Sequence, residues 1–262
     1  MKHQKDVEQF RPEIEKIAKM LREAKYAICL TGAGISTDSG IPDFRSPKTG
    51  LWNQKDAQVL TEPKSFDKAM EFFWKIGYKI GKILLKAKPN KGHMIIAKWE
   101  NERGIVKAVI TQNVDRLHQK AGSKNVVELH GNAFEATCPF CRGTYSMKEL
   151  MSIYKASGRK PPTCMICSSP VKPNVVLFGD PMPRGAMDSA MDEIRQCDVA
   201  ILLGSSSVVY PANYLPVLVH EKGGKVIIVN EMKTDLDQIA EVVVNGSISH
   251  VLEKIDQLLS SP

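Results

Sequence analysis

The sequence has no long apolar run and few cysteines for its length of 262 residues. No apolar stretch reaches the roughly 18 residues of a membrane-spanning helix. The residues after Met1 are polar, without the apolar region of a signal peptide. Internal repeats and low-complexity segments are also absent. We therefore expect a cytoplasmic protein without a membrane segment, in a compartment where thiols stay reduced.

Charge of one sign is only mildly in excess. Lys and Arg number 36 against 29 Asp and Glu, a formal net charge of +7. The basic residues are scattered, apart from a cluster at Lys86, Lys88 and Lys91. Such a surface suits a phosphate-bearing cofactor as well as nucleic acid, so charge identifies no partner.

Four of the six cysteines form two Cys-x-x-Cys pairs about 20 residues apart, a spacing typical of tetrahedral zinc. The predicted ligands are Cys138, Cys141, Cys164 and Cys167. Four thiolates leave no open position on the metal, so the zinc would be structural. Disulfides are the alternative, but they belong to small secreted domains. The other two, Cys29 and Cys197, lie in apolar runs typical of buried thiols.

Strand-like apolar runs alternate with helical patterns along most of the chain. The runs lie at 26–30, 105–111, 126–129, 175–178, 199–203 and 225–230, and helical patterns include 13–23, 186–195 and 214–222. This alternation predicts an α/β fold with a mostly parallel sheet. A helical segment near 61–86 and the cysteine-bearing segment near 137–173 interrupt it and predict a smaller second domain.

A glycine loop, Gly32-Ala33-Gly34-Ile35-Ser36, follows the first predicted strand. Its glycines allow close approach to a pyrophosphate, which the free backbone amides can bind. The dehydrogenase fingerprint also requires Gly or Ala at the position of Thr37 and an acidic residue at the end of the next strand. Asp56 lies near that distance but in a loop-like segment. The pattern therefore indicates nucleotide binding rather than hydride transfer.

A turn-rich run follows, Ser39-Gly40-Ile41-Pro42-Asp43-Phe44-Arg45-Ser46, with an acid, an aromatic and an arginine in consecutive positions. Such runs are typical of binding loops, and a plain surface turn with an Asp/Arg pair is the alternative. His130 stands directly after a predicted strand, where α/β sheets present ligands. A structural histidine is the alternative there. For His118, which follows an apolar leucine, we expect an orienting or packing role. His93, His220 and His250 have no comparable sequence context.

These motifs together resemble the sirtuin family, of prokaryotic type, in order and spacing over nearly the whole chain. Besides the glycine loop, the binding loop and the cysteine pairs, the resemblance rests on Thr111-Gln112-Asn113-Val114-Asp115, Leu117-His118, His130-Gly131, Val175-Val176-Leu177-Phe178-Gly179, Gly204-Ser205-Ser206, Tyr210-Pro211-Ala212 and Ile228-Val229-Asn230. It implies a Rossmann-like NAD-binding domain made of residues 1–44, 90–136 and 174–262. The smaller domain would combine a cofactor loop and helical module (45–89) with a zinc-ribbon-like module (137–173).

The resemblance also implies a role for each matching residue. The catalytic group would comprise His130 as general base together with Asn113 and Asp115. Cofactor binding would involve Gly32, Ala33, Gly34, Ile35, Ser36, Ile41, Asp43, Phe44, Arg45, Gln112, Asn113, Val114, Asp115, Gly204, Ser205, Ser206, Asn230 and Glu231. Substrate binding would involve Phe44, His130, Val176, Phe178 and Gly179. Asp180 departs from the family, in which Glu commonly follows Phe-Gly.

The implied activity is NAD-dependent removal of an acyl group from protein lysine. Its products would be nicotinamide, free lysine and O-acetyl-ADP-ribose, and its partner an acetylated lysine-containing protein or peptide, with no need for membrane or nucleic acid. Residues 66–86 lack the Tyr-x-x-Arg pair of family members that prefer succinyl or malonyl groups, which favours acetyl or longer apolar acyl groups. The alternatives are an NAD-dependent protein ADP-ribosyltransferase and a zinc-bearing DNA or chromatin adaptor without catalysis.

Overall fold

Helices and strands alternate through the parts of the chain that the computed structural model describes, residues 8–43, 66–177 and 180–260, without the side chains of 66–69 and 72. The α-helices are α1 (Arg11–Glu23), α2 (Phe66–Lys86), α3 (Lys91–Asn101), α4 (Leu117–Ala121), α5 (Met147–Ala156), α6 (Ala186–Gln196), α7 (Tyr214–Glu221) and α8 (Ile248–Ser260). The strands are β1 (Ala27–Thr31), β2 (Val106–Thr111), β3 (Val126–Glu128), β4 (Gly131–Thr137), β5 (Thr144–Ser146), β6 (Pro173–Val175), β7 (Val199–Leu203), β8 (Lys225–Val229) and β9 (Val242–Val244). Short 3-10 helices lie at Ala33–Ser39 and Asp237–Ile239.

Six strands form one parallel sheet in the order β3-β2-β1-β7-β8-β9. This is the strand order of a doubly wound Rossmann sheet, so the predicted α/β fold is confirmed. The order reverses between β1 and β7, where Thr31 lies beside Leu203. Because the loops after these two strands leave in opposite directions, a crevice opens at their carboxyl ends.

The two faces of the parallel sheet carry separate hydrophobic cores. In β1, Ala27 and Cys29 contribute to one core and Ile28 and Leu30 to the other, because successive strand side chains point to opposite faces. Helices α1, α3 and α8 cover the first face, and α6 and α7 the second. Burial raises the pKa of the Cys29 thiol, which keeps it neutral, as predicted for a core cysteine.

Helix α1 shows how the sequence specifies one of these layers. Pro12 lies in the first turn, where a missing N–H costs no helical hydrogen bond. Ile14, Ile17 and Leu21 form an apolar stripe that is almost wholly buried. The predicted helical pattern at 13–23 is therefore confirmed, and it places the chain at the start of β1.

The smaller sheet is antiparallel, in the order β5-β4-β6. It packs with α2 and α5 around a core that includes Trp74, whose ring stacks on Tyr154 at 5.6 Å between centroids. The Trp74 indole N–H donates to the backbone oxygen of Val171 at 3.0 Å. Helix α5 begins with a capping box in which Ser146 and Glu149 bond reciprocally. This unit therefore has a hydrophobic core of its own.

The predicted strand at 175–178 is wrong in its bounds, and the strand found there lies outside the parallel sheet. The strand is Pro173–Val175, and it pairs antiparallel with β4, Gly131 facing Val175, instead of joining the parallel sheet. The composition of this run resembles that of the other predicted strands. The strand nevertheless pairs with β4, because the chain leaves the large sheet directly after His130 and continues as β4. Strands β4, β5 and β9 and helices α3, α5 and α8 are additions to the predicted elements. None of the described helices is both long enough and apolar enough to cross a bilayer.

Three glycines allow the loop after β1 to lie against the loop after β7. A Cβ on Gly32 would meet the Gly204 oxygen at 2.7 Å, and one on Gly34 would meet the Gly204 Cα at 2.7 Å. Gly204 has φ +64°, and a Cβ there would lie 2.4 Å from the Ile35 nitrogen. The obstacles are backbone atoms, so no side-chain movement relieves them. The close contact between the two loops therefore requires glycine at these positions.

Gly204→Ala should destabilise the protein strongly. Its left-handed backbone costs a non-glycine residue about 1–2 kcal/mol, and overpacking adds about 1–3 kcal/mol. Gly223→Ala is the matched control, because Gly223 has φ +84° but a Cβ added there would meet nothing within 4 Å. Chemical denaturation of both variants would measure the difference; equal losses of unfolding free energy would contradict the close-contact account.

Candidate active site

The predicted cofactor residues meet at one edge of the parallel sheet. They follow the carboxyl ends of β1, β2, β3, β7 and β8, which lie side by side because the sheet is parallel. The groups are 32–36, 112–115, His130, 204–206 and 230–231. The predicted site residues Phe44, Arg45, Phe178 and Gly179 lie outside the described residues.

The glycine loop forms the 3-10 helix Ala33–Ser39 directly over the end of β7. Gly32 N–H donates to Leu203 O at 3.0 Å and Gly34 N–H to Gly204 O at 2.8 Å. Ile35 and Ser36 are buried. The 3-10 helix ends at Gly40, and Ile41 then packs with Leu84, Leu117 and Ala133. The loop is thus held by backbone hydrogen bonds to residues 203 and 204 and by the apolar contacts of Ile41.

Asn113 and Asp115 lie in a buried hydrogen-bond network with Ser36. The Asn113 amide donates to Gly32 O at 3.0 Å and to Ser36 Oγ at 3.2 Å. Ser36 Oγ donates to Asp115 Oδ2 at 2.6 Å, and Leu117 N–H donates to Asp115 Oδ1 at 2.8 Å. Since both Asn113 N–H groups are engaged within the protein, its Oδ1 and the remaining carboxylate lone pairs are acceptors for a ligand's N–H groups.

A second buried chain of hydrogen bonds lies beneath Asn113. Thr31 Oγ1 donates to Thr111 Oγ1 at 2.8 Å, and Thr111 Oγ1 accepts from Asn113 N–H at 3.0 Å. His118 Nε2 lies 3.0 Å from Thr31 Oγ1. Burial lowers the pKa of His118 to about 3, so the ring is neutral. Because Thr31 Oγ1 gives its proton to Thr111, His118 Nε2 is the donor in this contact. His118 therefore lies buried beside this network, hydrogen-bonded to Thr31.

His93, to which the sequence assigned no role, is buried in the same place. Its ring contacts that of His118 at 4.8 Å between centroids, and its Nε2 lies 3.5 Å from Ser36 Oγ. The one sequence signal is its position three residues after Asn90 at the start of α3. That is the spacing of a capping box, which the structure contains.

His130 is held in one tautomer by the backbone. Its Nδ1 lies 3.2 Å from Gln112 O, and a carbonyl can only accept, so Nδ1 carries the proton. Nε2 of the neutral ring is then free to accept a proton. Burial lowers the pKa of His130 below its usual value, which favours the neutral form near pH 7. A neutral ring with a free Nε2 has the proton acceptor that general-base chemistry requires.

The far side of the crevice is built by the turns after β7 and β8. Ser205 is buried, and its Oγ accepts from Gln112 Nε2 at 3.3 Å and from Ser207 N–H at 3.2 Å. Asn230 is also buried, with its amide donating to Met232 O at 2.7 Å. Glu231 is exposed. The contact between Gln112 and Ser205 ties both halves of the crevice together.

Gly131 and Val176 join the crevice to the smaller sheet. Val176 N–H donates to His130 O at 3.0 Å. A Cβ on Gly131 would lie 1.9 Å from Asn174 O, so the crossing of β4 and β6 requires glycine. Asp180 accepts from Lys172 Nζ at 2.8 Å and from Leu177 N–H at 3.1 Å. Two hydrogen bonds therefore hold the backbone beside His130, one from Val176 N–H to His130 O and one from Leu177 N–H to Asp180.

The two cysteine pairs adopt the same backbone geometry. Cys138 N–H donates to Gly143 O, and Cys164 N–H donates to Ser169 O. The residue after each pair, Arg142 or Ser168, has positive φ (62° and 59°) and donates its N–H back to the first cysteine's oxygen. Two equivalent turns thus present four thiols to one point.

The four thiols fit a tetrahedral metal. All four Sγ atoms lie within 4.8 Å of one another, with Cys141 and Cys164 at 3.3 Å and Cys138 and Cys167 at 3.6 Å. Zn–S bonds of about 2.3 Å imply S···S separations near 3.8 Å. Tyr145 Oη at 3.0 Å and Ile166 N–H at 3.4 Å contact the Cys164 sulfur, as outer partners of a thiolate do. These residues would hold Zn²⁺, which would crosslink the two turns.

A doubly wound sheet with a glycine loop at its switch point and a four-cysteine module define an α/β protein of the nucleotide-binding type. The family model described as the Sir2 family matches residues 32–211, more than half of the chain. The chain therefore belongs to the Sir2 family, and the predicted sirtuin resemblance is confirmed.

Relatives and solved structures match over nearly their whole length. The chain is 44% identical to NAD-dependent protein deacetylase 2 of Caldanaerobacter subterraneus subsp. tengcongensis, over 94% of this chain and 96% of that protein. It is 43% identical to the NAD-dependent protein deacylase of Thermococcus kodakarensis, over 91% and 92%. A Sir2 structure with a deacetylated p53 peptide and 3′-O-acetyl ADP ribose superposes with a TM-score of 0.88 at 38% identity, covering 94% and 98%. One with p53 peptide and NAD⁺ gives 0.83 at 39%, with the same coverage.

Cys138→Ala should release zinc and lower the melting temperature, because binding of a structural metal contributes directly to folding. Cys197→Ala is the matched control, since Cys197 is equally buried but lies in the large core. Metal analysis and thermal unfolding of both variants would test this. Full zinc occupancy in Cys138→Ala would contradict the four-thiolate site.

Proposed function

We propose that this chain is an NAD-dependent protein-lysine deacetylase, or more generally a deacylase. The reaction would cleave nicotinamide from NAD and pass the acyl group from lysine to ADP-ribose, giving O-acetyl-ADP-ribose and free lysine. The observation that carries the proposal is the meeting of the glycine loop, the Asn113–Asp115 network and a half-buried His130 with a free Nε2 at one crevice. The names of the relatives support it.

The nicotinamide side would be bound by Gln112, Asn113, Val114 and Asp115, with Ala33 and Ile41 lining the pocket. Asn113 and Asp115 are 8% and 4% exposed, so water is largely excluded. In a site of low polarity their acceptor oxygens hold a carboxamide more firmly than in water. When bound, NAD supplies a ribose carbon that becomes electrophilic as nicotinamide leaves. The protein would mainly position the acyl oxygen against it.

His130 would accept a proton from a ribose hydroxyl. Its Nδ1–H stays bonded to Gln112 O while Nε2 takes the proton. Because Gln112 also belongs to the proposed nicotinamide side, the base and the cofactor pocket share one support. The charge that His130 gains would be stabilised by that same carbonyl.

The adenosine side would use the turns 204–206 and 230–231. Gly34, Ile35 and Ser36 would approach the phosphates, as helix N-termini and glycine loops do. Asp43, Phe44 and Arg45 would close over the cofactor. We assign residues 1–44, 90–136 and 174–262 to this cofactor-binding domain, 45–89 to the cofactor loop and helical module, and 137–173 to the zinc module.

The acylated peptide would bind between the two sheets as an added strand beside residues 175–179. The acyl-lysine would pass Phe44, Val176 and Phe178 to reach His130. Backbone pairing of this kind gives loose sequence specificity, so several acetylated proteins could serve as substrates. We place the enzyme in the cytoplasm, because a site of four zinc thiolates is favoured where thiols stay reduced.

The test follows an acetyl-lysine peptide by mass spectrometry with and without NAD. We expect strictly NAD-dependent loss of the acetyl group, with equal amounts of nicotinamide and O-acetyl-ADP-ribose. His130→Ala should lower turnover by about 10²- to 10⁴-fold, the contribution of a general base. His220→Ala is the control, because His220 lies at the far end of α7. ADP-ribosylation of protein without O-acetyl-ADP-ribose would indicate the transferase instead.

The pH dependence of kcat/KM should report the lowered pKa of His130. The base acts in its neutral form, so activity should be lost only as pH falls through a pKa below the usual value of about 6.5. A pH–rate profile of the wild-type enzyme would measure this. The residual activity of His130→Ala should lack the same acid limb. An acid limb centred above the usual histidine value would contradict the burial argument.

A further inference from the structure

Helix α2 carries four lysines at intervals of four, three and four residues: Lys75, Lys79, Lys82 and Lys86. We propose that this lysine stripe binds the phosphate backbone of a nucleic-acid duplex without sequence preference. The inference goes beyond the proposed function and does not depend on it. It assigns a partner to a surface of the smaller domain that has no part in the cofactor crevice.

The basic excess of the chain lies in the smaller domain. Residues 66–86 and 137–173 contain 11 Lys and Arg against three Asp and Glu. The rest of the chain contains 25 against 26, so it has no basic excess. The formal net charge of +7 is therefore concentrated in one part of the molecule. A field concentrated in this way attracts a polyanion to that part.

The lysine stripe occupies one side of α2. At about 3.6 residues per turn and 1.5 Å per residue, the four side chains leave the helix within roughly 60° of one another and extend over about 16 Å. All four residues are exposed. Trp74 and Leu84, which are 0% and 4% exposed, lie on the other side of the helix. Packing of that apolar side therefore fixes the stripe toward solvent.

The charges of the lysine stripe are not neutralised within the described structure. Ion pairs among the described side chains form at other lysines, such as Lys91 with Glu253 at 2.7 Å, and none includes a residue of the stripe. Glu71 is the acidic residue of α2 whose side chain is described, and it lies one turn before Lys75. Like charges three and four residues apart destabilise a helix. A bound polyanion would relieve this repulsion.

The packing of α2 favours a nucleic acid over a membrane. A helix that binds a bilayer surface buries its apolar side at the level of the headgroups. In α2 that side is already covered by α5, since a Cβ on Gly81 would meet Met151 Sδ at 2.9 Å. Ile83 and Leu85, 37% and 43% exposed, lie on opposite flanks of the stripe and form no shared apolar surface. The helix therefore offers a ligand mainly charge.

The aromatic contacts of α2 favour a duplex over a single strand. Proteins that hold single strands stack the bases on aromatic side chains. The described rings of α2 are engaged within the protein: Trp74 stacks on Tyr154 at 5.6 Å, Tyr78 lies 5.3 Å from Tyr154 and beneath Lys82 Nζ at 4.8 Å, and Phe73 meets Trp74 edge-on at 6.1 Å. Duplex DNA carries one charge per about 1.7 Å of its axis, so the stripe spans enough phosphates for all four lysines.

The test measures the binding of fluorescently labelled duplexes by anisotropy, without NAD, at several salt concentrations. A DNA duplex and the RNA duplex of the same sequence distinguish the two sources of a phosphate backbone. We expect log Kd to rise by about three to four for a tenfold increase in salt, because each neutralised phosphate contributes about 0.9. Changing all four lysines of the stripe to Gln should weaken binding more than about tenfold at low salt, and Lys79→Gln alone should lower the slope by about one.

The matched control changes four exposed lysines of the larger domain to Gln: Lys25, Lys107, Lys124 and Lys225. It alters the net charge equally and should keep Kd within about threefold of wild type, because a local contact depends on where the charges lie. Melting temperature and zinc content would verify that both fourfold variants are folded.

An equal loss of affinity in the control would overturn the proposal, because total charge would then explain the binding. Failure of the wild-type protein to bind either duplex at low salt would also overturn it. So would tighter binding of a single strand, or stripe-dependent binding to vesicles of phosphatidylserine and phosphatidylcholine without binding to a duplex. Deacetylation of a free peptide should be the same in the stripe variant and wild type, so the proposed activity is tested separately.

Discussion

The close contact between the loops after β1 and β7 is the constraint on which the rest of the site depends. Gly32, Gly34 and Gly204 meet backbone to backbone at the point where the strand order reverses. Hydrogen bonds from Gly32 N–H and Gly34 N–H fasten the contact. The same Gly32 accepts the Asn113 amide, so the position of the proposed nicotinamide pocket follows directly from this approach.

A buried polar network transmits that geometry to the side chains. Ser36, Asn113 and Asp115 lie almost out of reach of water, where an unsatisfied polar group is costly, so every donor needs a partner. Two neutral histidines lie behind them and limit the directions in which the hydroxyl protons can point. Burial is what makes these histidines neutral. Burial thus sets the protonation states of these histidines and, through them, the directions of the hydrogen bonds in the site.

The smaller domain has its own hydrophobic core and four thiols that fit a metal, yet it meets the large sheet beside His130. The chain passes from β3 through His130 into β4, and β6 returns so closely that only a glycine fits at position 131. The general base we propose therefore stands at the junction of the two sheets. The proposed peptide strand would bind at this same junction.

Patterns that depend on near neighbours in the chain were predictable. The spacing of the four cysteines, the alternation of strands and helices, and the polar motifs at strand ends lead to the metal site, the sheet and most of the crevice. They succeed because short ligand spacing, side-chain periodicity and the common direction of parallel strands are local rules.

Long-range contacts decided the remainder. The run 175–178 resembles a strand of the parallel sheet by its sequence, whereas the strand here is β6, and its pairing with β4 is set only by the crossing at Gly131. His93 looks like an ordinary histidine until α3 brings it against Ser36, a residue far away in the chain. The amino-acid sequence by itself determined which groups are present and which elements carry them. Only the tertiary structure decided which groups meet and in which protonation state, because pairing and desolvation depend on segments distant in sequence.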